Sequence, residues 1–588
     1  MKIDYDHYLN EEQIEACFSP GNVLLVACPG SGKTRTLIYR IAYELENIDE
    51  HKYVVAITYT NNAADEITER IEHLGVDTSQ LWIGTIHAFC LEWILKPYGI
   101  YLDELRFGYS IINPYDSELV ITEMCKKYNN PKIRFFDCSY RLSKGTVYLQ
   151  CSDRNKHRNV GLLIGEYHQH LKKNDQIDFE ILLKYSCDLI SKYPEISKNL
   201  SSLFKSILVD EYQDTRDVQY DILNKIFMAG QGRTKGFFVG DPNQAIFTSL
   251  GGFPIEHKEL CEKSGLDFRL LYLSVNYRSS PKIIDFFSGF KVFASKINPC
   301  LDNDSIGFVS YTNAVNKSKL ASEIGRILNH VIYEKKIEQR EICIICPQWI
   351  PLASLTRELS GLYPDFNFDG PGMSPFGRDI DNFWYKLCKL ALTIPSPELY
   401  MRRMRWSRDV INHLSRCGYV YNHGVRDFLR LINSISVDLE DGIEYLESYF
   451  KEFSSRMGGD ITSYQEIQEH YNSFFQSARD RVGRLKEKNI TDVDTISYFR
   501  RVFKPKGGVV ISTVHGAKGT EFDCVISYGL IEGMVPFFAD PDPLNSANKT
   551  LYVIGSRARK YLFMISEVDG NSSPTRILDK YDFEYDQF

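Results

Sequence analysis

"NVLLVACPGSGKT", residues 22–34, is the stretch whose reading decides the fold. A short apolar run leads into small residues and glycines, then Lys33 and Thr34. The following "RTLIYRIAYEL" sets Leu37, Ile41 and Leu45 one helical turn apart, so the context is strand, loop, helix. Small residues in such a loop let backbone N–H groups wrap a phosphate at the positive end of a helix. Gly30, Ser31 and Gly32 therefore read as the cradle. Lys33 is placed to reach the β- and γ-phosphates, and the Thr34 hydroxyl to ligate Mg²⁺. The strict pattern carries a glycine where Ala27 stands, but the strand and helix on either side point to a nucleoside triphosphate.

"SILVDEYQDT" (206–215) reads as a buried strand delivering Asp210 and Glu211 at its carboxyl edge, where α/β sheets gather ligand groups. Asp210 suits metal coordination, and Glu211 suits general-base activation of water. The two stretches together predict Mg-ATP binding and hydrolysis.

The whole chain is acidic, with a net charge of −8 over 588 residues, so any nucleic-acid surface must be a local stripe. Its length suggests about four domains. The 14 cysteines are scattered. Cys343 and Cys346 have CxxC spacing but lie in a β-type apolar run without a second pair, so they read as core residues. The polar start "MKIDYDHYLNEEQ" gives no signal peptide, and no apolar run approaches membrane-spanning length. The expected compartment is cytoplasmic and reducing, without a membrane partner.

The remaining loops resemble, in order along most of the chain, those of superfamily 1A DNA helicases of the UvrD/Rep/PcrA type. "LNEEQ" (9–13) resembles the Q motif, "TYTNNAADEITERI" (58–71) motif Ia, and "GTIHAFC" (84–90) the next DNA-contact loop. "IDFEILL" (177–183) resembles the short motif ahead of the acidic strand. "VGDPNQAIF" (239–247) resembles motif III and "LSVNYRS" (273–279) motif IV. "VVISTVHGAKGTEFDCVI" (509–526) and "LYVIGSRARKYLF" (551–563) resemble motifs V and VI. Motifs IV to VI argue against a P-loop kinase, which needs one module and an acceptor site.

The resemblance implies an α/β fold in which two RecA-like P-loop domains with parallel sheets each carry a mainly helical insertion. The expected parts are a first RecA-like domain at 1–90 and 190–275, with an insertion at 91–190. A second lies at 276–380 and 505–588, with a short helical insertion at 381–504. It also implies roles, residue by residue. Gln13 reads the adenine, which Arg35 and Tyr277 sandwich. Gln244 senses the γ-phosphate, Glu521 accepts from the ribose, and Arg278 and Arg557 bring positive charge to the transferring phosphoryl group. Tyr59, Thr60, Asn61, Thr85, His87, Phe247, Thr513 and His515 are the implied single-strand DNA contacts. His87 and His515 read as hydrogen-bonding residues rather than metal ligands. Arg559 and Lys560 have no implied role and read as solvated.

The implied activity is 3′→5′ helicase or translocase action on single-stranded DNA or single/double-strand junctions, driven by ATP with Mg²⁺. Some positions depart from the family pattern. Ser249 and Leu250 replace an aromatic and an arginine after motif III, and Asn62 replaces a lysine in motif Ia. These departures, with the compact second insertion, leave a second reading open: a DNA-stimulated ATPase subunit that senses ends or gaps and regulates a partner nuclease. Helicase-like subunits of anti-phage systems such as Gabija share that trimmed plan. In the second insertion, Ile443, Leu446, Tyr449 and Phe450 form a core stripe. "MRRMRWSRD" (401–409) reads equally as a DNA or protein contact and as a solvated helix face.

Overall fold

Six runs, each five to seven residues long, assemble into one parallel sheet in the computed structural model of the chain. They are β1 (Asn22–Ala27), β2 (Tyr53–Thr58), β3 (Leu81–Thr85), β4 (Phe204–Asp210), β5 (Lys235–Gly240) and β6 (Phe268–Leu273). Their order is β6-β1-β5-β4-β2-β3, with every pairing parallel. Strands buried on both faces read as continuous apolar runs, which is why Val23, Leu24 and Leu25 are all sealed from solvent. The structure describes residues 4–143, 145–248, 251–302, 305–370, 374–377, 379, 381–458, 460–487, 492–503, 507–538, 540, 542–569 and 573–588. Ser249 and Leu250 lie outside these residues, and the Asn62 side chain is likewise not described.

Two compact units divide the chain. The first comprises Met1–Ile112, Ile121–Leu352 and Ser512–Phe588; the second comprises Asn113–Val120 and Ala353–Ile511. Residues 91–190, expected as a separate insertion, therefore sort with the first unit except for 113–120. That segment contains an antiparallel hairpin, Tyr140–Ser143 with Thr146–Leu149, beside its helices.

In the first unit the helix Lys33–Glu46 packs Leu37, Ile41 and Leu45 into the core with β1 and β2. Arg40 on the same helix is also buried. It pairs with Glu44 at 2.7 Å and donates to the carbonyls of Cys17 and Ser19 at 2.9 and 2.8 Å. A cation there satisfies carbonyls at the end of the helix Glu11–Phe18 and locks that helix against the next.

A second parallel arrangement follows later in the chain. Its strands are β7 (Phe308–Thr312), β8 (Ile342–Cys346), β9 (Val509–Thr513), β10 (Phe522–Ser527) and β11 (Ala558–Ile565). Within the first unit β7, β11, β10 and β8 are neighbours in that order. Cys343 and Cys346 are fully buried on β8 and not joined in a disulfide, as their strand context required.

The second unit contains six main helices between Phe383 and Arg501 around one aromatic-rich core. Trp384 is fully buried there and donates its indole N–H to the Ile467 carbonyl at 2.9 Å. The predicted stripe is core: Leu446, Tyr449 and Phe450 are buried and Ile443 packs at its edge. Part of the basic run is core as well. Arg403 is sealed in and donates to the Leu390 and Thr393 carbonyls at 2.9 and 2.8 Å.

Candidate functional site

The phosphate loop leaves the carboxyl end of β1 with Gly30 and Gly32 at φ values of +67° and +80°, which side-chain-bearing residues rarely adopt. Space excludes a side chain too: a Cβ on Gly30 would stand 2.6 Å from the Arg278 Cβ. Lys33 opens the helix. Its ammonium nitrogen is buried and makes no hydrogen bond among the described residues, and its nearest carboxylate oxygen, on Glu211, is 3.6 Å away. A buried ammonium without a hydrogen-bond acceptor is costly, and an anion placed there would offset that cost.

Asp210 ends β4, and Glu211 follows in the left-handed region at φ 50°. That turn separates the two carboxylates, and the Glu211 N–H donates back to Asp210 at 3.0 Å. Burial and the adjacent Glu211 charge hold Asp210 above the ordinary carboxylate range. Glu211 lies below that range: burial opposes its charge, but Lys33, Lys518, the Gln213 amide and Arg557 together outweigh it. Four groups scattered from 33 to 557 thus act on one carboxylate.

Arg557 is the most deeply buried arginine of the site, at 1% exposure. It donates to Gln244 Oε1 at 2.9 Å and to the Val553 and Thr520 carbonyls, both at 3.2 Å. Gln244 donates in turn to Asp241 at 2.7 Å, and Asp241 receives the Tyr552 hydroxyl at 3.2 Å. Arg278 donates to Glu521 at 2.5 Å and to the Ser556 carbonyl at 2.9 Å. Gln213 donates to Glu211 and accepts from the Asp241 N–H at 3.0 Å, so Lys33, Glu211, Gln244, Arg278 and Arg557 are joined by a continuous set of contacts.

Around this centre, Gln13 is buried and its amide donates to the Ser31 carbonyl at 2.9 Å while accepting from the Asn10 N–H at 3.0 Å. Tyr277 holds the loop through its N–H to Gly30 at 2.9 Å, leaving its ring partly exposed. Arg35 is exposed and Thr34 half-buried. Glu521 is occupied by Arg278 and Arg559 rather than free. The expectation of a solvated Arg559 is overturned. It pairs with Glu341, Glu521 and Asp523 at 2.7–3.1 Å because β8, β10 and β11 bring three carboxylates to one place. Lys560 is exposed and pairs with Asp523.

The predicted DNA residues gather at strand ends. Thr60, Thr85 and Thr513 each cap a helix, accepting from the N–H groups of Ala63, Ala88 and Gly516. Asn61 is the first residue of the helix that Thr60 caps. "TIHA" (85–88) and "TVHG" (513–516) repeat one Thr-x-His turn, a signal that sequence reading missed. Tyr59, Phe247 and His515 form a row, with ring centroids 4.6 and 4.9 Å apart. A cavity of about 350 Å³ opens beside Tyr59, Thr85, His87 and Phe247. Burial pushes His87 down to about 4 and lowers His515 as well, so neither ring is a cation at neutral pH. Lys518, also missed, donates to Asp214 and to the Gln244 carbonyl at 2.5 and 2.6 Å, and lies over the Phe247 ring at 5.4 Å.

A P-loop on one parallel sheet, completed by arginines from later strands and helices, defines a P-loop nucleotide-binding protein of RecA-like build. Residues 9–254 match the UvrD/REP helicase N-terminal domain, and residues 423–568 match the UvrD-like helicase C-terminal domain. The chain belongs to the UvrD/Rep/PcrA type of superfamily 1 helicases. It is 31% identical over 297 residues to the ATP-dependent DNA helicase PcrA of Staphylococcus epidermidis and 30% identical over 298 residues to that of Staphylococcus aureus. Each match covers 47% of this chain and 39% of the relative's length. No helix among the described residues is long and apolar enough to cross a membrane.

Proposed function

We propose that the chain is an ATP-dependent DNA helicase or translocase that moves 3′→5′ on single-stranded DNA. The observation that carries this reading is the buried, acceptor-free Lys33 ammonium beside a network ending in Arg278 and Arg557. Lys33 and the N–H groups of the glycine loop bind the β- and γ-phosphates. Arg278 and Arg557 offset the charge that develops on the transferring oxygens, and burial strengthens them by excluding water. Gln244, held between Arg557 and Asp241, orients the attacking water, and Glu211 takes its proton. Thr34 and Asp210 would hold Mg²⁺, which would neutralise phosphate charge and relieve the crowding of Asp210 against Glu211. Gln13, Arg35, Tyr277 and Glu521 hold the nucleoside.

DNA binds along the row of Tyr59, Phe247 and His515. Rings take bases by stacking, and the capped turns at Asn61, Thr85 and Thr513 present N–H groups to phosphates. Residues 244–247 span the two regions. The Gln244 side chain contacts Arg557, while the Phe247 ring joins the row, so cleft closure and strand grip move together.

The test is ATP turnover with and without single-stranded DNA, together with strand displacement on 3′-tailed and 5′-tailed duplexes. DNA-stimulated turnover and displacement of the 3′-tailed substrate are expected. Displacement only from 5′ tails would overturn the polarity, and absence of ATP turnover in both conditions would overturn the function. Turnover without displacement would replace the motor by the DNA-sensing ATPase.

A further inference from the structure

In the second unit, far along the chain from the nucleotide residues, three metal-ligating side chains of different chemistry converge. His413 lies in the last turn of the helix Tyr400–Arg416, and Cys417 caps that helix. The spacing of four residues places both on one face. Glu466 lies in the first turn of the helix Gln465–Lys486 and meets them from across the packing. His413 Nε2 is 3.1 Å from Glu466 Oε1, and the Cys417 sulfur stands beside them. One ligand atom from each of the three lies within 4.8 Å of the others.

We propose that His413, Cys417 and Glu466 form a zinc site that clips these two helices together. Metal–ligand bonds of about 2.0–2.3 Å in a tetrahedron put ligand atoms roughly 3.4 Å apart, close to the separation seen between His413 and Glu466. An imidazole, a thiolate and a carboxylate suit Zn²⁺ better than Mg²⁺ or Ca²⁺, which prefer oxygen alone. A thiolate and a carboxylate together also balance the dication. The ring is oriented for this role: His413 is 4% exposed, and its Nδ1 faces the Lys386 nitrogen at 3.0 Å, which leaves Nε2 toward the other two ligands. Glu466 is exposed and supplies the entry for the ion, while the three protein ligands leave a fourth position for water. His470, one turn beyond Glu466, packs its ring edge-on against His413 with centroids 5.5 Å apart, and its Nδ1 accepts from the Phe383 N–H at 3.2 Å. It buttresses the ring from its own fixed position.

The test uses the full chain, stripped by chelation and dialysed. Elemental analysis after incubation with Zn²⁺ should give one ion per chain. Titration with Co²⁺ should give a thiolate-to-cobalt charge-transfer band and the visible bands of a tetrahedral site. Cys417→Ser should remove the charge-transfer band, and Glu466→Gln, at an exposed position that folding tolerates, should weaken binding at least about tenfold. Zn²⁺ should raise the thermal midpoint of the wild type and not that of Cys417→Ser. No cobalt band in the wild type, or a band and affinity unchanged in Cys417→Ser, would overturn the proposal.

Discussion

Arg557 offers the sharpest test of the nucleotide site, because its two contributions can be separated. Its guanidinium is sealed in the protein and holds Gln244, Val553 and Thr520 through hydrogen bonds of 2.9–3.2 Å. Truncation to alanine removes bonds from a charged donor and leaves a buried amide oxygen and carbonyls short of a partner. A stability loss of about 2–4 kcal/mol is expected from that alone. An arginine directed at a transferring phosphoryl group is worth roughly 10³–10⁵ in kcat. The lower figure corresponds to about 4 kcal/mol of barrier. Arg557→Lys keeps the positive charge and much of the volume but loses the fork, so it should fold more securely than Arg557→Ala while still losing most of the rate. The assay is steady-state ATP turnover with saturating single-stranded DNA, beside nucleotide binding by calorimetry and urea denaturation on the same preparations. We expect kcat to fall about a thousandfold in both variants, with nucleotide affinity within about tenfold of wild type. A folded Arg557→Lys protein turning over ATP within threefold of wild type would refute the role. Equal losses in rate, nucleotide affinity and stability would make Arg557 a structural strut.

Lys33→Ala should abolish measurable turnover and lower the urea midpoint modestly, because Lys33 also faces the buried Glu211 carboxylate at 3.6 Å. Phe247→Ala should weaken single-strand binding by roughly 1–3 kcal/mol, read by fluorescence anisotropy, without changing nucleotide affinity. Lys518 and Asp214 form a buried pair, so Lys518→Met alone should cost about 3–5 kcal/mol in denaturant stability. Lys518→Met with Asp214→Asn should recover part of that loss, as a double-mutant cycle would show. Burial lowers the His87 pKa to about 4, so the unfolded chain binds the extra proton first. The stability from this group is present above about pH 6.5 and lost as the pH falls toward 4. His87→Gln should therefore flatten the pH dependence of the urea midpoint in that window.

Much of this arrangement was legible in the sequence wherever the signal was local. The apolar run of β1 and the spacing of Leu37, Ile41 and Leu45 are fixed by period, and the glycines at 30 and 32 by backbone geometry. The acids after β4 and the cysteines of β8 followed from strand context. What resisted reading depends on partners distant in sequence. Arg559 looks like a solvated residue until β8 brings Glu341, 218 positions away, beside it. Arg403 sits in the most basic run of the chain, yet the carbonyls of a preceding helix end turn it inward. Lys518 was passed over because nothing nearby in sequence shows that Asp214 and the Gln244 carbonyl await it. The hairpin at 140–149 lies in a segment of mixed composition, where helical stretches on either side dominated the pattern.

The position of Gln244 gives the molecule a short path between its two chemistries. Its side chain is shared by Arg557 and Asp241, and its carbonyl is taken by Lys518. Two residues on, the Ile246 carbonyl is 3.2 Å from His515 Nε2, and the next ring, Phe247, packs tilted against Tyr59 and edge-on against His515. On the proposed function, a shift of Arg557 toward a phosphate would change its hold on Gln244, and the bonds on either side of Gln244 would carry that change along the turn. It would then reach Phe247 and the rings beside it, because packed groups shift between discrete arrangements rather than stretch. Lys518 is the brace of this turn, touching its backbone, the acid beneath it and the Phe247 ring together. Coupling of about 0.5–2 kcal/mol through such a contact would bias strand grip severalfold per nucleotide state. A motor that alternates its grip needs a bias of that order rather than a rigid linkage, since each state must still release the strand.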